Sequence, residues 1–336
     1  MSDDRRTDHW RRVRQGLAEA VRGWLYDPNV RFVDYGFREK DGELRMGEEP
    51  RIRVHVVKKI PAGPALEAAT ATGVTSGEIP PQIAGIPVDC PQGAYRLHQS
   101  PYGGRAFRGA FVARGKADVR TSRIQPLRGG ISISDARRPI AGTLGGPVFD
   151  RSTGQTMILS NWHVLSGVFG RPGGAIFQPG RLDGGTLTDR VATLDRDAMA
   201  SNLDAAVARL GDERPVVNGQ WGLHPVRGST VAQLGMLVGK SGRTSGVTRG
   251  MVTGVEGTQR AYYAAAGYRV IRHVISITPG DAELSLPGDS GAFWVDEATN
   301  KVVALHFAGN QPGETEEALA IDIGPILDAL GVDLYV

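Results

Sequence analysis

A single cysteine, Cys90, stands among the 336 residues, so no intramolecular disulfide can staple the chain. Cys90 precedes Pro91 far from any paired histidine motif, which suits a packed small hydrophobe better than a nucleophile. The opening residues, Met1-Ser-Asp-Asp-Arg-Arg6, hold no apolar core of a secretory leader. No run approaches the roughly 18 consecutive apolar residues that a spanning helix needs. These absences lead us to expect a soluble protein of a reducing, cytoplasmic setting, with no membrane partner. Neither sign of charge dominates, with 39 Lys and Arg against 36 Asp and Glu and a net charge of +3. The stretch from Arg105 to Arg138 carries eight arginines and Lys116 against Asp118 and Asp135. That is sparser than the basic face of a nucleic-acid footprint, so nucleic acid is not the expected partner. His55, His98, His224 and His273 show no His-x3-His spacing, and no Cys-x2-Cys exists, so neither metal nor cofactor is expected. Gly239-Lys-Ser241 shares three residues with a phosphate-binding loop, but the glycine needed at position 234 is a leucine.

Glycine is abundant instead: 46 of 336 residues, about twice ordinary usage, with 20 prolines beside it. Frequent turns between short apolar runs favour β structure over helix bundles. Trp10, Val13, Leu17, Val21 and Trp24 recur at spacings of three and four, which predicts an amphipathic helix over residues 9–25. Val30–Phe37 and Arg51–Val57 alternate around a polar turn and read as paired strands; a short helix fits 65–72. Residues 1–98 are therefore expected to form a small α/β domain, and 99–125 a Gly- and Arg-rich connector. From 126 to 336 the texture is of short runs broken by glycine, among them 130–134, 142–149, 155–161, 232–238, 250–255, 270–277 and 302–307. Many short strands with regular turns suggest sandwiches or barrels. Ile323, Ile326, Leu327 and Leu330 fit a closing helix.

Three segments of this β-rich half carry chemistry. Ile158-Leu-Ser-Asn-Trp-His-Val-Leu165 ends a strand in a histidine; Asn202-Leu-Asp-Ala-Ala-Val207 sets an aspartate among apolar residues; Leu286-Pro-Gly-Asp-Ser-Gly-Ala-Phe-Trp294 holds a serine in a glycine-flanked turn. A serine hydroxyl is a poor nucleophile until a base takes its proton. Histidine titrates near neutrality and can accept that proton, then pass it to a leaving amine. A buried carboxylate on its other nitrogen fixes the tautomer. The oxyanion formed on attack needs backbone donors, and the amides of Gly288 and Ser290 are the candidates. His163, Asp204 and Ser290 follow one another at separations of 41 and 86 residues. The Gly-x-Ser-x-Gly pattern of α/β-hydrolases is absent around Ser290, and the order of residues is the reverse of theirs. A non-catalytic binding module on the same fold stays as the alternative.

These motifs resemble those of the trypsin-like (chymotrypsin-fold) serine peptidases. Ser160-Asn-Trp-His163 corresponds to the histidine motif, Asp204-Ala-Ala to the aspartate motif and Gly288-Asp-Ser-Gly-Ala292 to Gly-Asp-Ser-Gly-Gly, with alanine in the last place. Leu237–Gly246 and the N-terminal strand pair also resemble the bacterial and plant NARROW LEAF 1-type branch. The resemblance spans about 126–336 and implies a mainly β fold, a chymotrypsin-like double β-barrel preceded here by the small α/β domain, with the site between the barrels. It implies a serine endopeptidase acting on protein or peptide substrates without a cofactor. Activated members insert a new N-terminus beside the aspartate matching Asp289; no activation site is evident here. Asp289 should then be satisfied internally or by rearrangement, a state compatible with latency, self-association or an activating protein partner. The base of the S1 pocket corresponds to Leu284, which does not suit Lys or Arg at P1. Ala304–Gly309 resembles the strand walling S1, with Gly309 at its end. His306 matches the pocket histidine of glutamyl endopeptidases and 3C-type proteases, implying Glu or Gln at P1, unless it is simply packed on its strand.

Overall fold

The computed structural model describes residues 3–40, 43–93, 95–97, 119–280, 283–310 and 316–336, so most of the expected connector lies outside the described residues. The N-terminal part runs α1 (Asp3–Trp24), β1 (Val30–Gly36), β2 (Arg38–Lys40), β3 (Glu43–Arg45), β4 (Arg51–Val56), α2 (Pro64–Ala71), β5 (Gln82–Ile83), β6 (Ile86–Asp89) and β7 (Tyr95–Leu97). Next come β8 (Leu127–Gly129), β9 (Ser132–Asp135), β10 (Gly142–Thr143), β11 (Gly146–Asp150), β12 (Thr156–Ser160), α3 (Trp162–Leu165), β13 (Ala175–Phe177), β14 (Arg190–Asp197), β15 (Ala206–Leu210) and β16 (Val216–Gln220). The last part holds β17 (Leu237–Gly242), β18 (Gly246–Tyr263), β19 (Gly267–Pro279), β20 (Phe293–Asp296), β21 (Val302–Asn310), β22 (Ala318–Asp322), α4 (Ile323–Leu330) and β23 (Val332–Leu334).

The fold is mainly β, as expected, and built from two barrels. In the first, β9, β13, β14, β15 and β12 pair in that order. The bent run from Gly142 to Asp150 closes it, because β10 pairs with β9 while β11 pairs with β12. Inside lie Ile131, Ile133, Leu144, Ile158, Ile176 and Val191, the inward face of alternating strands. In the second, the order β17-β20-β21-β22-β19-β18 returns to β17 through the β17–β18 pairing. Between the barrels a further core gathers Met157, Leu159, Trp162, Phe293 and Phe307, capped by Ile323, Ile326, Leu327 and Leu330 of α4. That amphipathic helix ends at Gly331 and hands the chain to β23, which pairs with β11 of the first barrel.

The first 97 residues do not close around a core of their own. β1 pairs with β18 (Phe32↔Gln259, Tyr35↔Val255) and with β4, extending the second barrel's sheet. Val13, Leu17 and Ala20 of α1 are buried in the same apolar cluster as Val238, Ile275 and Trp294. A buried polar network crosses the seam: Arg53 Nε donates to Asp34 Oδ1 at 2.8 Å and Arg53 Nη2 to Ser276 Oγ of β19 at 2.6 Å. The expected α/β unit is thus layered on the second barrel, where sheet continuity lets β1 bury both faces. Residues 232–236, expected as strand, form a turn through Gly235 at φ +84° instead, and the strand begins at Leu237.

Candidate active site

Antiparallel pairing of β12 with β15 sets Ser160 opposite Ala206, so residues just beyond each strand end meet. Asn161 Nδ2 donates to the Asp204 carbonyl at 2.7 Å. One helical turn, α3, then aims His163 at the carboxylate: the His163 amide donates to Asp204 Oδ1 at 3.0 Å, and His163 Nδ1 lies 2.5 Å from Oδ2. Arg138 holds the outside of this turn by donating to the His163 and Val164 carbonyls. His163 and Asp204 are both buried. A residue that sequence reasoning missed completes the carboxylate's shell. The Tyr263 hydroxyl, at the far end of β18, donates to Asp204 Oδ2 at 2.8 Å, and its ring stands edge-on to Trp162. Burial, and then the charge of Asp204, push the Tyr263 hydroxyl well above its ordinary range.

Ser290 lies in the turn between Leu286 and β20. The Asp289 amide donates to the Leu286 carbonyl at 3.0 Å, the Ala292 amide to the Asp289 carbonyl at 3.0 Å and the Gly291 amide to the His306 carbonyl at 2.9 Å. Gly288 (φ +108°) and Gly291 (φ +100°) bracket Ser290 in left-handed backbone, where a side chain would also collide with Thr244 and with Ser160 and Thr143 respectively. The amides of Gly288 and Ser290 donate to no protein group among the described residues, which leaves two adjacent donors for an oxyanion. Thr143 of the first barrel clamps the turn: its amide donates to the Ser290 carbonyl at 2.7 Å and its hydroxyl to the Gly288 carbonyl at 2.9 Å. Ser160 Oγ in turn donates to the Thr143 carbonyl at 2.7 Å, three residues before His163.

The two halves of the site thus face each other across the barrels. One link is not made at rest: Ser290 Oγ donates to the Phe307 carbonyl at 3.2 Å, and His163 Nε2 has no hydrogen-bond partner among the described residues. Asp289 is satisfied internally. Lys240 of β17, itself fully buried, sits 2.9 Å from Asp289 Oδ2. Ser245 Oγ and the Leu286 amide donate to the same oxygen, while the Thr244 and Ser245 amides donate to Oδ1. Burial alone would raise the Asp289 carboxyl; Lys240 and these donors reverse that and hold it far below the usual range.

Of the residues assigned to S1, Leu284 is buried, its amide bonded to Glu316 and its carbonyl accepting from Thr248. His306 is buried as well, with Trp294 Nε1 donating to its Nδ1 at 3.4 Å. Gly309 lies on β21 between Ala318 and Arg96. Burial pushes the half-buried Cys90 thiol up to about 11, away from nucleophilic use. No group of metal-binding side chains occurs among the described residues, and no helix there is long and apolar enough to cross a membrane.

No protein-family model matches the chain, and no curated protein matches it. Solved structures do. A Nocardiopsis protease is 18% identical over 62% of this chain and 98% of its own, with a TM-score of 0.48. A chymotrypsin from Cellulomonas bogoriensis is 21% identical over 62% of this chain and 97% of its own, TM-score 0.45. A glutamic acid-specific serine protease, described as binding substrate through a histidine triad, is 19% identical over 62% of this chain and all of its own, TM-score 0.46. The chain is similar to these chymotrypsin-fold serine proteases in fold.

Proposed function

We propose that the chain is a serine endopeptidase that cuts protein substrates through an acyl-enzyme. What supports this is the buried His163–Asp204 pair facing a serine turn whose two neighbouring amides are free to donate. In the reaction the Ser290 hydroxyl leaves the Phe307 carbonyl and yields its proton to His163 Nε2 as Oγ attacks the scissile carbonyl. Asp204 holds Nδ1–H and stabilises the imidazolium, and the Gly288 and Ser290 amides take the oxyanion. His163 then protonates the leaving amine and later activates water to release the acyl group.

Fluorophosphonate labelling tests this reading. The folded wild type is expected to label, with both Ser290→Ala and His163→Ala abolishing the label; a folded wild type that stays unlabelled under every condition overturns it. For specificity, Leu284, where the resemblance puts the base of S1, supports a P1 residue other than Lys or Arg, and His306 supports Glu or Gln. Cleavage of a peptide library mainly after Leu, Phe or Ala would sink the Glu/Gln assignment. The segment Leu237–Gly246 and the N-terminal strand pair support the NARROW LEAF 1-type branch as the closer kinship, and the lone Cys90 supports a cytoplasmic setting.

A further inference from the structure

β21 has two edges, and their occupants can be followed residue by residue. β22 takes one edge, from Ala304 to Gly309. Along the other, β20 pairs as far as Leu305 (opposite Phe293). His306 comes next, its carbonyl accepting from the Gly291 amide and its amide donating to the Ala292 carbonyl, both at 2.9 Å. The Phe307 carbonyl then accepts from Ser290 Oγ. Beyond the nucleophile the same edge is taken by β7, with Leu97 opposite Ala308, Arg96 opposite Gly309 and Tyr95 opposite Asn310. The pairing is antiparallel, so the chain from Tyr95 to Leu97 runs toward Ser290.

A peptide that is to be acylated onto Ser290 must reach it from the N-terminal side of its scissile bond, in extended form. The edge of β21 just past Phe307 presents the backbone donors and acceptors that such a segment needs, which is recognition by strand addition. β7 fills that place in that direction. It is also held there firmly: the Tyr95 hydroxyl, buried, lies 2.5 Å from His55 Nδ1 and donates to Glu317 Oε2 at 2.5 Å. Leu97 packs on the core between the barrels.

We infer that Tyr95–Leu97 is an internal cap that occupies the acyl-side substrate edge in the manner of a substrate, and that an extended peptide gains access by displacing it from Ala308–Asn310. The inference rests on the serine-endopeptidase reading and adds the regulation of that site. β7 pairs no closer to Ser290 than Ala308, so the cap competes with extended peptides along this edge rather than for the Ser290 hydroxyl itself.

The test compares the full-length wild type with Arg96→Pro/Leu97→Pro, which removes two backbone donors from β7, and with Tyr95→Phe, which keeps the ring and loses only its hydroxyl. Each is assayed with a fluorophosphonate and with an extended fluorogenic peptide, after circular dichroism and melting establish folding. The double variant is expected to lower the peptide KM at least tenfold, and Tyr95→Phe about threefold, with the fluorophosphonate rate within twofold of wild type throughout. Peptide KM values unchanged in the folded variants, with all proteins labelling equally, overturn the cap and leave the peptidase reading standing. If the fluorophosphonate labels none of them, the peptidase reading fails and the cap falls with it.

Discussion

The Asp204 carboxylate receives three donors: the His163 amide, His163 Nδ1 and the Tyr263 hydroxyl. The tyrosine reaches it from the second barrel, so the His163–Asp204 pair of the first barrel is held partly from the second. Tyr263→Phe removes that donor from a buried carboxylate, which is then held less firmly and orients the His163 ring less well. We expect kcat to fall about tenfold with KM little changed. A kcat within twofold of wild type in the folded variant would reduce Tyr263 to a packing role. The meeting of His163 with Asp204 was legible because each sits in a short motif that pairs a histidine with a carboxylate. Tyr263 was not, since nothing near it in the chain marks it, and only the length of β18 carries it to the aspartate. Lys240 was hidden for a similar reason, its partner Asp289 lying 49 residues away.

At the scale of elements, the β18–β19 hairpin shows where pattern reading stops. The expected runs 250–255 and 270–277 are the middles of strands of 18 and 13 residues. Register shifts near Gly254 and Gly257 break the alternation, and the buried face of the outer half runs Gly257, Gln259, Ala261 and Tyr263, with glycine and glutamine masking its apolar pattern. The closing helix was plain because its four apolar residues face one core. Its N-cap, Asp322, makes no side-chain cap bond, and Oδ1 has no hydrogen-bond partner among the described residues. Burial, with the charge of Glu256, raises this carboxyl to about 7. A raised folded-state value favours the protonated form, so its contribution to stability is full below pH 4 and lost as pH rises through 7. The melting temperature should therefore fall between about pH 4 and 7, and Asp322→Asn should flatten that slope. An identical slope in the variant would assign the pH dependence elsewhere.

At the scale of the molecule, the N-terminal part and the second barrel share one sheet and one apolar cluster. The alternation of β1 and β4 was readable, but not their attachment, because the partner of Phe32 is Gln259, more than 200 residues on, and register across such a span leaves no local mark. Cutting at residue 98 would strip β1 from β18 and expose the cluster that α1 covers. A chain of residues 126–336 is expected to aggregate or to melt at least 10 °C below the full protein, an effect of several kcal/mol for a body of this size. A monodisperse fragment of unchanged melting temperature would instead restore an independent N-terminal domain.

Thr143 ties these scales together. Its amide and hydroxyl hold the carbonyls of Ser290 and Gly288, its own carbonyl accepts from Ser160, and its hydroxyl accepts from the Arg243 amide at 2.9 Å. One short strand of the first barrel thereby serves as a rivet through the Ser290 turn of the second. The barrels have no freedom to swing apart around the cleft while that turn keeps its shape. Any force that parts the barrels would break these hydrogen bonds and the backbone of the Ser290 turn at the same moment.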